Sequence, residues 1–287
     1  MSDRVIALLY YGYVEFSVFP VEVISSICLL LTIAVYIYVK KLQNVLGKCL
    51  ICTLFCLLML FINLMLLDLL DDIDLFTAFS FYFFGVAYNH WLSAISYHLW
   101  KVLTTVRHDE PRHQFLKYSC IVWVTALILS GPGLFLLNLV PSKAFTIWFA
   151  SIFFAFLISS IFNTIMFILT IVYIWKVKRE IKKFPPVEEA MMTTCSNFDT
   201  QTYLQCLRIF FIMGVSWVLK TIDYIKIFID FPTNQPTGLV VKYFHNGFGI
   251  FVFVLLVLKR STLKMLKERI QESRTKKCDR NQGVANI

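Results

Sequence analysis

Seven stretches of this chain are each long and apolar enough to cross a bilayer, and no other feature constrains the fold as strongly. A crossing helix needs about 20 mostly apolar residues to span roughly 30 Å of hydrocarbon. Residues 16–39 carry only Glu22, while 49–67, 75–100, 118–142 and 144–175 carry no Asp, Glu, Lys or Arg. Residues 205–229 include Arg208 near one end and Lys220, Asp223 and Lys226 in the other half, and 237–258 include Lys242. Because the runs are continuously apolar, they predict helices rather than barrel strands, which alternate over about ten residues. A composition of 58% hydrophobic and 16% charged residues, with mean hydropathy +0.71, excludes a water-soluble globule. The expected fold is an all-α membrane protein. A seven-transmembrane helix bundle over 16–258 is preceded by a short outer segment, 1–15, and followed by a cytoplasmic tail, 259–287.

The net charge of +9 would suggest nucleic acid only if the cations covered a soluble surface, and they lie instead between the apolar runs. Alternating the loops gathers three Lys/Arg at 40–48, four at 101–117, six at 176–208 and nine at 259–280 on one side. The other side holds Arg4, Lys143 and Lys242. Cytoplasmic loops attract the cations, so the amino terminus is expected outside and the carboxyl terminus in the cytoplasm of a multi-pass membrane protein. The start of the chain is not basic and Glu15 and Glu22 interrupt its first apolar region, so the first stretch is expected to act as its own insertion signal. No Asn-x-Ser/Thr sequon occurs, and all eight cysteines fall within helices or on the inner side. Cys49, Cys52 and Cys56 recur at helical spacing and are read as packing residues of a helix interface rather than a metal set.

The longest inner loop begins with Lys176, Lys178, Arg179, Lys182 and Lys183 and breaks at Pro185 and Pro186, which predicts a helix running out of the membrane and ending before the prolines. After Leu258, basic residues surround Leu263, Leu266 and Ile270 on one helical face, the pattern of an amphipathic helix lying along the inner leaflet. Beyond Ser273 the chain is expected to be disordered.

The run from Asn44 to Cys52, Asn-Val-Leu-Gly-Lys-Cys-Leu-Ile-Cys, resembles the Methuselah-like receptors of insects, a secretin-like (class B) branch of the G-protein-coupled receptors. His90-Trp-Leu-Ser-Ala-Ile-Ser-Tyr-His-Leu-Trp looks like that family's third helix, the run from Phe162 to Ile181 its fifth, Arg208 to Leu219 its sixth, and Val257-Leu-Lys-Arg the end of its seventh. The resemblance covers nearly the whole membrane region in order. It implies a receptor whose sixth helix moves outward at its inner half to recruit a heterotrimeric G protein. The family usually carries a disulfide-rich ectodomain before the first helix, whereas only 15 residues precede the first stretch here, so a fragment or a receptor reduced to its helices is expected. The family's cysteine at the outer end of the third helix has no counterpart in 75–88, nor its partner in 138–145. Leu46 and Ile95 stand where the family and its wider relatives place a histidine and an acid.

Polar groups inside membrane helices are costly unless they face the bundle or water, so each is a candidate for function. Lys220 and Asp223, three apart in the outer half of the sixth stretch, form either a polar floor to an outer pocket or an ion pair that only stabilises the bundle. Trp217, Tyr224, His245 and Asn246 face the same expected pocket, with Asn89 and His90 from the third helix. Ser93, Ser96 and Tyr97 share a face and are expected to bond between helices. Gly214 marks a hinge, while Gly247 and Gly249 read better as close-packing points. Lys101, Arg107, Lys176, Lys178, Arg179, Lys259 and Arg260 would rim an inner cavity and meet the G protein or lipid headgroups. No enzymatic motif, cofactor site or metal spacing is present in the sequence, and no disulfide or nucleic-acid partner is expected. The unknown extracellular ligand is not specified by any residue. Two further readings stay open: a non-signalling partner of other receptors, and a transporter or channel whose polar path includes Glu22, Lys220 and Asp223.

Overall fold

A computed structural model describes residues 19–69, 75–104, 113–139, 142–181 and 243–285, and all regular structure among them is helical. Helix α1 spans Phe19–Tyr38, α2 Val45–Leu69, α3 Leu75–Thr104, α4 Gln114–Leu139, α5 Ser142–Ile181, α6 Phe248–Leu256 and α7 Arg260–Ala285, with a single 3-10 turn at Lys40–Leu42 between α1 and α2. The sixth apolar stretch, 205–229, lies outside the described residues. Phe19–Tyr38, Val45–Leu66, Gln114–Pro132 and Phe154–Tyr173 are long and apolar enough to cross a membrane.

Helix α1 is built the opposite way from a helix in water. Its buried positions are Glu22, Ser25, Ser26, Leu29, Thr32 and Tyr36, while Ile24, Ile27, Leu30, Leu31 and Ile37 are exposed. In α5, Ser159, Ser160, Asn163, Met166 and Thr170 are buried, and Ile158, Ile161, Ile165, Ile168 and Val172 point outward. Hydrocarbon outside and polar contacts inside account for this pattern, because lipid tails solvate the apolar rim as well as a core would. Helix α2 is apolar on nearly every side and is buried accordingly, with Cys49, Leu50, Leu54, Cys56, Leu57, Phe61 and Leu64 in the core.

Side-chain pairs set the direction of each helix. Asn63 of α2 bonds Ser80 of α3, and Phe55 meets Phe84, so these two helices are antiparallel. Phe83 stacks on Trp123 and Trp91 on Phe115, so α4 runs against α3. Only two residues separate Leu139 from Ser142, which turns α5 back along α3. Glu22 meets Asn246 and Ser25 meets Gly249, so α6 runs with α1. Helices α1, α3, α5 and α6 therefore share one direction, and α2 and α4 oppose it.

The first turn is tightly specified. Asn44 caps α2 through Oδ1, which accepts the Gly47 amide at 2.7 Å, and Gln43 Nε2 donates back to the carbonyl of Ile37 at the end of α1. A Cβ on Gly47 would stand 1.8 Å from the Leu42 carbonyl oxygen, so only glycine lets the 3-10 turn fold under α2. Leu42 and Val39 fill the space beneath it.

One expectation is corrected at the carboxyl end. Helix α7 continues without a break from Arg260 to Ala285, so the chain beyond Ser273 is helical rather than disordered. Leu263, Leu266 and Ile270 fall within one arc of α7 by helical spacing, and the bundle covers only part of that arc. Met265 and Leu266 pack against the bundle with Thr262 buried beside them, whereas Leu263 and Ile270 are exposed. The docked side is set by contact with the α1–α2 turn, where Lys41 reaches Glu268 at 3.8 Å, and not by the leucine spacing alone.

Candidate functional site

Two buried polar contacts join α1 to α6. Asn246 Nδ2 donates to Glu22 Oε1 at 2.8 Å, with Glu22 3% and Asn246 0% exposed. One turn further along both helices, the Gly249 amide donates to Ser25 Oγ at 2.9 Å. A Cβ on Gly249 would come within 2.5 Å of both the Ser25 carbonyl oxygen and its Oγ, and 2.9 Å from Leu29 Cγ, so α6 touches α1 backbone to backbone. Gly249 is thus a close-packing point. The helix tightens at Gly247, whose carbonyl accepts the amides of both Ile250 and Phe251. No local pattern pairs Glu22 with Asn246, which lie 224 residues apart, and sequence reasoning treated them separately. The usable signal is that each is a strongly polar side chain within an apolar run, and in a bilayer such groups seek one another. His245, beside Asn246, is half-buried.

On α3, Asn89 is buried and its Nδ2 has no hydrogen-bond partner among the described residues. His90 turns its Nδ1 to the carbonyl of Val86 at 2.9 Å. The expected inter-helix bonding by Ser93 is replaced by a bond to its own helix, with Oγ donating to the Asn89 carbonyl at 3.2 Å. A hydroxyl one turn away from a helical carbonyl satisfies itself without a neighbour. Ser96 is buried, and Tyr97 is exposed with its ring edge against Tyr118. Trp91, fully buried, anchors an aromatic ladder in which Phe79, Phe83, Trp123, Trp91 and Phe115 follow one another at centroid separations of 5.8 to 6.1 Å. Lys48 Nζ closes the ladder at its Phe115 end, 5.8 Å over that ring. Leu46 and Ile95 are both buried in the apolar core.

The cations collect at one end of the bundle. Lys101 lies in the last turn of α3, Lys176 and Arg179 are exposed near the end of α5 with Lys178 in the same helix, and Lys259 and Arg260 stand where α6 gives way to α7. Because α3, α5 and α6 run the same way, these ends are on one side, together with Lys40 and Lys41 after α1 and Lys48 at the start of α2. Arg107, Gly214, Trp217, Lys220, Asp223 and Tyr224 lie outside the described residues. Among the described residues no group of three or more His, Cys, Asp or Glu is arranged to hold a metal ion.

An all-helical bundle with apolar side chains facing outward, polar seams inside and most of its described cations toward one end is the architecture of an integral membrane protein. No family model matches the chain. It is 42% identical over 274 residues to "Probable G-protein coupled receptor Mth-like 7" of Drosophila melanogaster, covering 86% of this chain and 54% of that protein. It is 36% identical over 288 residues to "Probable G-protein coupled receptor Mth-like 12" of the same fly, covering 93% and 59%, and 38% identical over 279 residues to "G-protein coupled receptor Mth", covering 88% and 52%. The chain belongs to this Methuselah-like family, and it spans a little over half the length of the curated relatives it matches.

Proposed function

We propose that the chain is the seven-helix core of a G-protein-coupled receptor, with its amino terminus outside the plasma membrane and its carboxyl terminus in the cytoplasm. The observation that carries this reading is the common direction of α1, α3, α5 and α6. In this reading 237–258, which contains α6, crosses in the same direction as α5, and that requires an odd number of crossings between them. Residues 205–229 are the only apolar run there of sufficient length, and one crossing by them makes seven. The gathering of cations at the inner end supports the orientation.

In this reading Asn89, His90, Trp217, Lys220, Asp223, Tyr224, His245 and Asn246 border an outer pocket. A ligand that binds the pocket more tightly when the sixth helix has swung outward about Gly214 shifts the population toward that state. The opened inner cavity, rimmed by Lys101, Arg107, Lys176, Lys178, Arg179 and Lys259, attracts the acidic surface of a heterotrimeric G protein. Arg260, Lys267 and Arg274 follow one another at heptad spacing along the exposed side of α7, with Leu263 and Ile270 between them, and this stripe meets anionic lipid headgroups.

Replacing Lys101, Lys176 and Arg179 together by Glu is expected to abolish nucleotide exchange on a reconstituted G protein while surface display persists. Exchange at the native level would remove the G-protein role from this rim. The apolar, packed Leu46 and Ile95 favour a second reading, a non-signalling relative that binds other receptors through its helices. A native chain that displays normally yet drives no exchange on any class of G protein would decide for it.

A further inference from the structure

The seam between α3 and α5 contains hydrogen-bonding groups that the helices themselves leave unmet. Gly85 opens it: a Cβ there would meet Phe156 Cζ of α5 at 3.8 Å. Asn89 lies one turn beyond Gly85 on α3, and Ser160 and Asn163 lie one and two turns beyond Phe156 on α5, so all four face the same contact. Asn89 and Asn163 thus both face the α3–α5 contact beyond the point where Phe156 meets Gly85. Asn89 is 2% and Asn163 5% exposed.

The hydroxyls of this region are satisfied at home. Thr164 donates to the Ser160 carbonyl at 2.7 Å, Thr170 to that of Met166 at 2.8 Å, and Ser93 to that of Asn89. The amides are different. Asn163 Nδ2, Asn163 Oδ1 and Asn89 Nδ2 have no hydrogen-bond partner among the described residues. Two donors and one acceptor, withdrawn from bulk solvent on the two sides of one helix contact, call for a small molecule that both accepts and donates. Water does both, and buried waters typically make about three such bonds.

We propose that the α3–α5 seam encloses an ordered water site held by Asn89 and Asn163. The water accepts from either amide nitrogen and donates to Asn163 Oδ1. A bridging water re-forms its bonds when one helix shifts against the other, so α5 can slide along α3 without stranding either amide. The site does not depend on the receptor reading.

Met166, one turn beyond Asn163, is buried, and its side chain reaches back over the turn that carries Asn163. It is therefore a built-in reporter. In X-ray hydroxyl-radical labelling of the full chain in lipid nanodiscs, Met166 is expected to be oxidised at least fivefold faster than Met59 of α2, because radicals form from the enclosed water. Asn163→Leu is expected to bring Met166 down to the Met59 rate, and Asn89→Leu to lower it at least twofold. Equal oxidation of Met166 and Met59 in the native chain overturns the proposal without any variant having to fold. Fast Met166 oxidation that survives both substitutions overturns it as well, since the radicals would then come from elsewhere.

Discussion

The amide of Gly249 donates to Ser25 Oγ at 2.9 Å, and the Ser25 carbonyl oxygen stands 2.5 Å from where a methyl on Gly249 would be. Two helices at opposite ends of the chain are thus held at a distance that only glycine permits. Gly249→Ala is expected to lower stability by about 1–3 kcal/mol, the usual range for forcing an extra carbon into a packed site. Ser25→Ala should not rescue it, because the obstructing carbonyl belongs to the backbone. Thermal unfolding in detergent measures both; a double variant as stable as native would show that the helices separate easily.

Asn246 is expected to be needed for its hydrogen bond rather than its volume. Asn246→Leu keeps the size and loses the bond to Glu22, at a cost of about 1–3 kcal/mol. Asn246→Asp should cost more, since it sets a carboxyl against a carboxyl where neither has bulk water. If the aspartate variant unfolded at the native temperature, the Glu22–Asn246 contact would have no energetic role.

The α1–α2 turn gives a graded pair. Asn44→Ala removes one cap and should cost about 1 kcal/mol. Gly47→Ala drives a methyl into the Leu42 carbonyl and should prevent the turn from closing, with surface display falling well below that of Asn44→Ala. The reverse ranking, read by flow cytometry of tagged protein, would contradict the turn geometry.

For α7, reversal of Arg260, Lys267 and Arg274 to Glu is expected to abolish any difference in its amide exchange between nanodiscs of neutral lipid and nanodiscs with anionic lipid. In the native chain anionic lipid should slow exchange over this helix. The contact scales with cationic charge near a negative surface, at about 1 kcal/mol per residue. An identical lipid response in native and reversed chains would place the stripe against something other than headgroups.

The residues show how much could be read beforehand. The apolar runs located α1 to α5 to within a few residues, because hydrocarbon thickness sets a length that a single helix must meet alone. The helix ends were less legible. Helix α2 begins at Val45 rather than 49 because Asn44 caps it, and α4 begins at Gln114 rather than 118, where Gln114 Nε2 bonds the Tyr118 hydroxyl and Phe115 packs under Trp91. For the candidate site, single residues were recognisable as costly in lipid, but their partners were not. Ser93 was expected to bond across helices and bonds within its own.

The chain's membrane character, the approximate position of each described apolar helix and the segregation of its cations followed from sequence alone, since the cost of placing an apolar or charged side chain in hydrocarbon depends on that residue and its immediate neighbours. Which helices touch, at what register and through which atoms was decided only by the tertiary structure. The bond from Asn246 to Glu22, the seat of Gly249 on Ser25 and the docked side of α7 depend on how each helix is rotated about its axis and how far it slides along its neighbour. Those two quantities come from packing the whole bundle, and no stretch of sequence contains them.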